Sequence, residues 1–130
     1  MKKLLLILSI AFSYASQGQT IELNHSQLVG QFATASFNVN KNIAIGSGYP
    51  LQKQEVKTIP IFVTIAETIG KGITKSYISS NLGYLTESGV FVRFNVGVAR
   101  SGLYSQIGVL AQEYNKKMGY GFCINFGFKF

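Results

Sequence analysis

The chain has 130 residues, one domain's worth, with 14 Gly, 2 Pro, 10 Phe, 7 Tyr and neither Trp nor Asp. Gly, aromatic and β-branched residues in this mixture suit pleated strands and exclude a helical bundle. The formal charge of +7 is scattered along the chain, with Lys116-Lys117 the densest pair after the first three residues. No nucleic-acid stripe is indicated.

Residues 1–19 read as a signal peptide: Lys2 and Lys3, the apolar run Leu4 to Phe12, then small and polar residues. Ala15, Gly18 and Gln19 are alternative cut points. The apolar run is too short for a membrane-spanning helix, which needs roughly 17–25 residues. Residues 20–130 form the expected domain.

Downstream, hydrophobicity alternates with period two, the pattern of strands between two unlike environments. Thr20 to Leu28 (TIELNHSQL) alternates poorly and is a candidate eighth strand. Phe32 to Val39 sets Ala33, Ala35, Phe37 and Val39 against Thr34, Ser36 and Asn38. In Ile43 to Tyr49, Ile43, Ile45 and Tyr49 oppose Ala44, Gly46 and Gly48. In Thr58 to Ala66, Ile59, Ile61, Val63 and Ile65 oppose Thr58, Phe62 and Thr64. Tyr77 to Leu85 sets Ile78, Leu82 and Tyr84 against Ser79, Asn81 and Gly83. Val90 to Arg100 carries Val90, Val92, Phe94, Val96 and Val98 on one face and Phe91, Arg93, Asn95, Gly97 and Ala99 on the other. Leu103 to Gln112 has Leu103, Ile107, Val109 and Ala111 facing away from Tyr104, Gln106, Gly108 and Leu110. The last strand is clearest: Tyr120, Phe122, Ile124, Phe126, Phe128 and Phe130 against Gly119, Gly121, Cys123, Asn125, Gly127 and Lys129.

Turn residues separate these runs: Asn40-Lys41-Asn42, Thr86 to Gly89, Arg100-Ser101-Gly102 and Asn115-Lys116-Lys117. Short links between successive strands imply an antiparallel meander. A soluble β protein would coat the non-apolar faces with charge. Here they hold Gly, Ser, Thr, Asn and Gln, with Arg93 and Lys129 the clearest charges. The expected fold is therefore an all-β, up-and-down transmembrane barrel of about eight strands, apolar outside and polar inside. Inward glycines would make room for Arg93, Phe62, Phe91 and Tyr104. A buried Arg93 calls for partners, with Asn81, Asn95 and Gln106 as the candidate lumen cluster and a Glu as a further possibility. The facing assignment also implies that an Arg at Val96, toward lipid, costs more than one at Asn95.

GSGY (Gly46 to Tyr49), TIPIFVT (Thr58 to Thr64), NLGY (Asn81 to Tyr84), VFVRFNVGVA (Val90 to Ala99), the leader and an aromatic final strand ending in Phe resemble small outer-membrane β-barrel proteins of Bacteroidetes-type, Gram-negative bacteria. The resemblance implies an eight-stranded barrel in outer-membrane lipid, with short periplasmic turns and no catalytic residue. Phe122, Phe126, Phe128 and Phe130 also resemble the C-terminal signal read by the barrel-assembly machinery. The plainer reading of these aromatics is lipid-facing packing.

Chemistry-bearing groups are sparse. His25 is the sole His, Cys123 the sole Cys, and the absence of Asp removes any Ser-His-Asp arrangement. No catalytic residue, metal site, cofactor or phosphate loop is expected. The expected role is structural or envelope-associated. The alternative is a soluble periplasmic barrel binding a small apolar ligand, and any such ligand is unidentified by the sequence.

Overall fold

The computed structural model describes residues 18–28, 30–52 and 58–129. Most of the expected leader and the terminal Phe130 lie outside the described residues. Eight strands follow one another: β1 (Gln19–Ser26), β2 (Gly30–Asn38), β3 (Ile43–Pro50), β4 (Pro60–Ile69), β5 (Thr74–Leu85), β6 (Gly89–Arg100), β7 (Leu103–Tyr114) and β8 (Lys117–Lys129). Each pairs antiparallel with the next, and β1 also pairs with β8, closing the sheet into an up-and-down barrel. The leader boundary expected at residue 19 falls on the first residue of β1, where Gln19 is already in register with Phe37.

The weakly patterned Thr20–Leu28 stretch supplies the strand that closes the wall. Thr20, Asn24 and Ser26 are buried toward the interior, while Ile21 and Leu23 are exposed on the outside. His25 continues the outward set as a polar residue, and the inward set includes the charged Glu22. Both dilute the contrast that makes β8 legible.

The register fixes the stagger. Paired positions run Thr20, Ser36, Gly46, Phe62, Gly83, Phe91, Gln112 and Gly119 around the wall. Gly119 lies four positions before Cys123, whose β1 partner is Ser26, so the circuit returns about ten residues displaced. Eight strands with that stagger tilt by roughly 40–45°. The β3–β4 ladder is short, running from Ile43–Ile65 to Ser47–Ile61, and the chain's two prolines, Pro50 and Pro60, lie beside it. Proline has no N–H to offer a ladder.

Turn chemistry explains the tight hairpins. Ser101 and Gly102 have φ of 50° and 86°, and Asn115 and Lys116 have 48° and 61°. Two successive positive φ angles suit the right-handed twist of the flanking strands. The described chain ends share one end of the barrel with turns 39–42, 70–73 and 101–102. At the opposite end are connections 27–29, 51–59, 86–88 and 115–116, of which 51–59 is the longest.

The interior is layered. Farthest from the chain ends, Phe62, Leu85, Phe91 and Leu110 form an apolar cluster. Glycine makes it possible: a Cβ at Gly46 would stand 2.6 Å from the Phe62 ring, and one at Gly83 would stand 2.7 Å from both Phe62 and Phe91. At the chain-end side, Tyr77 and Tyr104 pack with ring centroids 4.9 Å apart, and Gly127 lies under the Tyr104 ring. Between these layers the filling is polar.

Candidate functional site

Arg93 projects from the middle of β6 into the lumen, opposite the exposed apolar face of Val92 and Phe94. Its Nε donates to Asn81 Oδ1 at 3.1 Å from β5. One terminal nitrogen donates to Asn24 Oδ1 from β1 and to Asn125 Oδ1, at 3.2 Å, from β8. The other meets Glu22 Oε1 from β1 at 3.2 Å, an ion pair whose side chains are only 10% and 13% exposed. Glu22 Oε2 accepts from the Tyr104 hydroxyl. The guanidinium thus ties β1, β5, β6 and β8 across the barrel axis.

A second set of bonds extends the belt. Asn95 Nδ2 donates to Ser79 Oγ at 3.2 Å and to Asn81 Oδ1 at 3.1 Å. Ser79 donates to Gln106 Oε1 at 3.1 Å, and Gln106 Nε2 donates to the Tyr77 carbonyl at 3.3 Å. Asn81 Nδ2 donates to Thr64 at 2.6 Å, and Asn24 Nδ2 to Thr34 at 2.9 Å. Cys123 is buried, and its thiol lies 3.2 Å from Asn95 Oδ1, in donating position.

The structure brings together all four residues of the sequence-derived cluster: Arg93, Asn81, Asn95 and Gln106. Sequence reasoning offered a Glu for Arg93 without saying which, where the structure has Glu22, and missed Asn24, Asn125 and Ser79 as members of the belt. The parity of β1 was the available signal, since Glu22 and Asn24 share a face with Thr20 and Ser26. Glycines accommodate the aromatic rings, whereas Arg93 is held by Asn24, Asn81, Asn125 and Glu22, because a cation out of water needs acceptors rather than space.

The belt leaves little volume. A cavity of about 20 Å³ on its chain-end side includes Glu22, Asn81 and Tyr104 in its lining. Another, of about 40 Å³ on the apolar side, is lined by Phe32, Phe62, Phe91, Leu110 and Arg93 among others. Such spaces take roughly one to three waters.

The outer wall is the complement. Val90, Val92, Phe94, Val96 and Val98 of β6 are all exposed, as are Phe122, Ile124, Phe126 and Phe128 of β8. Of the residues read as an assembly signal, Phe122, Phe126 and Phe128 therefore face outward on one strand, and Phe130 is outside the described residues. Four outward tyrosines, Tyr49, Tyr84, Tyr114 and Tyr120, gather toward the end bearing the longest connection. Charges collect at the rims. The chain-end rim holds Lys41, Lys71, Lys75, Arg100 and Lys129 against the single carboxylate Glu67, among the described residues. His25 faces outward and Cys123 inward, and no group of three or more potential metal-ligating His, Cys, Asp or Glu side chains occurs among the described residues.

No family model matches the chain, and no curated protein matches it in sequence. Among solved structures, the N-terminal β-barrel domain of Pseudomonas aeruginosa OprF is similar, with a TM-score of 0.56 and 13% identity over 88% of this chain and 98% of that one. At that identity the likeness is one of fold, the closed antiparallel barrel.

Proposed function

We propose that this chain is a small integral β-barrel of a Gram-negative outer membrane, with a structural role in the envelope and a filled lumen. The observation that carries the reading is the inverted partition: an exposed apolar wall around a buried polar belt. A soluble barrel of this size would expose several hundred square ångströms of contiguous apolar surface, which water disfavours. In lipid the same wall is matched to its solvent, and closure satisfies the strand edges.

The dimensions agree. Val90 to Val98 spans eight residue steps, which at about 3.3 Å per step and the tilt above rises roughly 20 Å. Side chains extend this to about the 25 Å band of outer-membrane barrels. The outward tyrosines fit an interfacial girdle. Placing the 51–59 connection outside and the chain ends in the periplasm follows the usual asymmetry of loop lengths. The alternative is a soluble periplasmic barrel holding a small apolar ligand, and the interior cavities described above, of about 20 and 40 Å³ among the described residues, are small for that. The Bacteroidetes-type affinity rests on the sequence motifs alone. A leader cut after Ala15 or Gly18 leaves all of β1 intact, whereas one after Gln19 removes its first residue.

Cell fractionation tests the location. The mature chain is expected in the outer-membrane fraction, migrating differently on gels before and after boiling. Recovery in the soluble osmotic-shock fraction would overturn the reading.

Outer-membrane lipid is one partner on this reading, and the barrel-assembly machinery is the other, engaging the C-terminal strand by strand addition. Deleting Phe130 is expected to lower assembled barrel in cells far more than refolding of the purified chain into detergent. As packing, one terminal Phe contributes at most about 1.5–3 kcal/mol, and that loss would appear equally in both assays. Parallel losses would reduce Phe130 to a lipid-facing anchor.

A further inference from the structure

Two concave features meet at the chain-end rim and share Arg100 and Tyr104. The first is a groove of about 580 Å³ on the outer wall, walled by Val98, Leu103, Phe126 and Phe128 with Ser105 among them. Ser105 lies in register between Val98 and Phe126, and its short side chain leaves the depression that a larger residue would fill. The second is a depression of about 440 Å³ over the barrel mouth, lined by Lys75, Arg100, Lys129, Tyr77, Tyr104 and the 101–102 turn, with no carboxylate in its lining. Lys129 Nζ lies 5.8 Å from the Tyr77 ring centroid, over its face, which holds one of the three cations at the mouth.

Resting on the membrane reading above, we infer that these features form one binding site for an anionic phospholipid of the periplasmic leaflet, its phosphate at Arg100, Lys129 and Lys75 and an acyl chain along the Ser105 groove. The groove is apolar and runs along the lipid-facing wall, so hydrocarbon is its natural occupant. The mouth is cationic, and Arg100 stands where groove and mouth join, which is where a glycerophospholipid changes from apolar to anionic. The charge is also one-sided. The chain-end rim has five cations against one carboxylate, whereas the opposite rim balances Lys116 and Lys117 against Glu87 and Glu113 among the described residues. Lysine and arginine at a membrane surface favour anionic headgroups by about fivefold in binding per residue. A guanidinium additionally donates to phosphate in a fork, which an ammonium does not.

The test is native mass spectrometry of the chain folded in detergent. It is mixed with phosphatidylglycerol or phosphatidylcholine of identical acyl chains, with and without millimolar inorganic phosphate. One phosphatidylglycerol is expected to be retained in preference to phosphatidylcholine, by about 20-fold or more, since each cation contributes about fivefold. Arg100→Gln with Lys129→Gln should lower phosphatidylglycerol retention about 20-fold and lower phosphatidylcholine, whose phosphate is balanced by its own ammonium, much less. Ser105→Leu, which fills the groove, should weaken both lipids alike. Heat-modifiable migration confirms that each variant is folded. Equal retention of the two lipids, or a preference that survives loss of both cations, would overturn the site. So would displacement of the lipid by inorganic phosphate together with an inert Ser105→Leu, which would identify a site for a free anion. A chain that stays dispersed in water without detergent would instead remove the membrane reading on which the site rests.

Discussion

Glu22→Ala is expected to destabilise the barrel by about 3–5 kcal/mol, the cost of leaving a buried cation without its counterion. The two side chains are 10% and 13% exposed, so solvent screens the pair weakly. Arg93 retains acceptors in Asn24, Asn81 and Asn125, but these are neutral amides. The substitution also deprives the Tyr104 hydroxyl of its acceptor. Adding Arg93→Met to Glu22→Ala removes the orphaned charge, and the double variant should recover much of the loss, because buried pairs are often replaceable by apolar residues. Urea titration of the barrel in lipid vesicles measures each arm of this cycle. A single-variant cost below about 1 kcal/mol would place the pair among solvent-screened ion pairs, and the belt would lose its claim to hold β1 in place.

Asn95→Arg is expected to prevent assembly of a native barrel, with a penalty above the ~2–4 kcal/mol that Val96→Arg incurs on the lipid-facing wall. Period two alone suggested the opposite order, since a lumen position offers polar partners. The structure removes that option. Asn95 is 1% exposed, bonds to Ser79 and Asn81, and lies against the Cys123 thiol. A Cβ placed on Gly108 would collide with its amide oxygen, so the space around it is already filled. An arginine there brings a second cation close to Arg93 and breaks the bonds that order the belt. Refolding yield in vesicles, followed by heat-modifiable migration, ranks the two variants. A milder effect at Asn95 than at Val96 would mean that the lumen yields more readily than its packing indicates.

Most of the wall was legible because period two is a local property. In β8, aromatic residues alternate with Gly, Cys and Asn, and no other arrangement of that stretch separates them. β1 was obscure for an equally local reason: His25 stands on the outer side and Glu22 on the lumen side, so neither face is uniform. The lumen cluster was half legible. Asn81, Arg93, Asn95 and Gln106 lie on consecutive strands, where tight hairpins fix who stands beside whom. Glu22 and Arg93 are separated by 71 positions. Parity says that both point inward, but not that they stand at the same height. Height depends on the ten-residue stagger accumulated around the whole circuit, which is a property of the closed barrel and of no single segment.

Arg93 draws three of its four acceptors, Glu22, Asn24 and Asn125, from the two strands that meet last in any order of assembly proceeding along the chain. The β5–β6 hairpin can form early and carries Arg93 with only Asn81 beside it. An unclosed sheet in a bilayer would then present both the unpaired edges of β1 and β8 and a cation without its carboxylate. Loop-closure entropy rises slowly with separation, so the distance along the chain is a minor obstacle. The decisive term is that both penalties vanish in the same step, when β1 docks on β8 and Glu22 reaches the guanidinium. If the chain inserts as proposed, partly built forms are thereby kept from accumulating in the bilayer, and insertion becomes a single cooperative event whose completion is registered at the centre of the barrel.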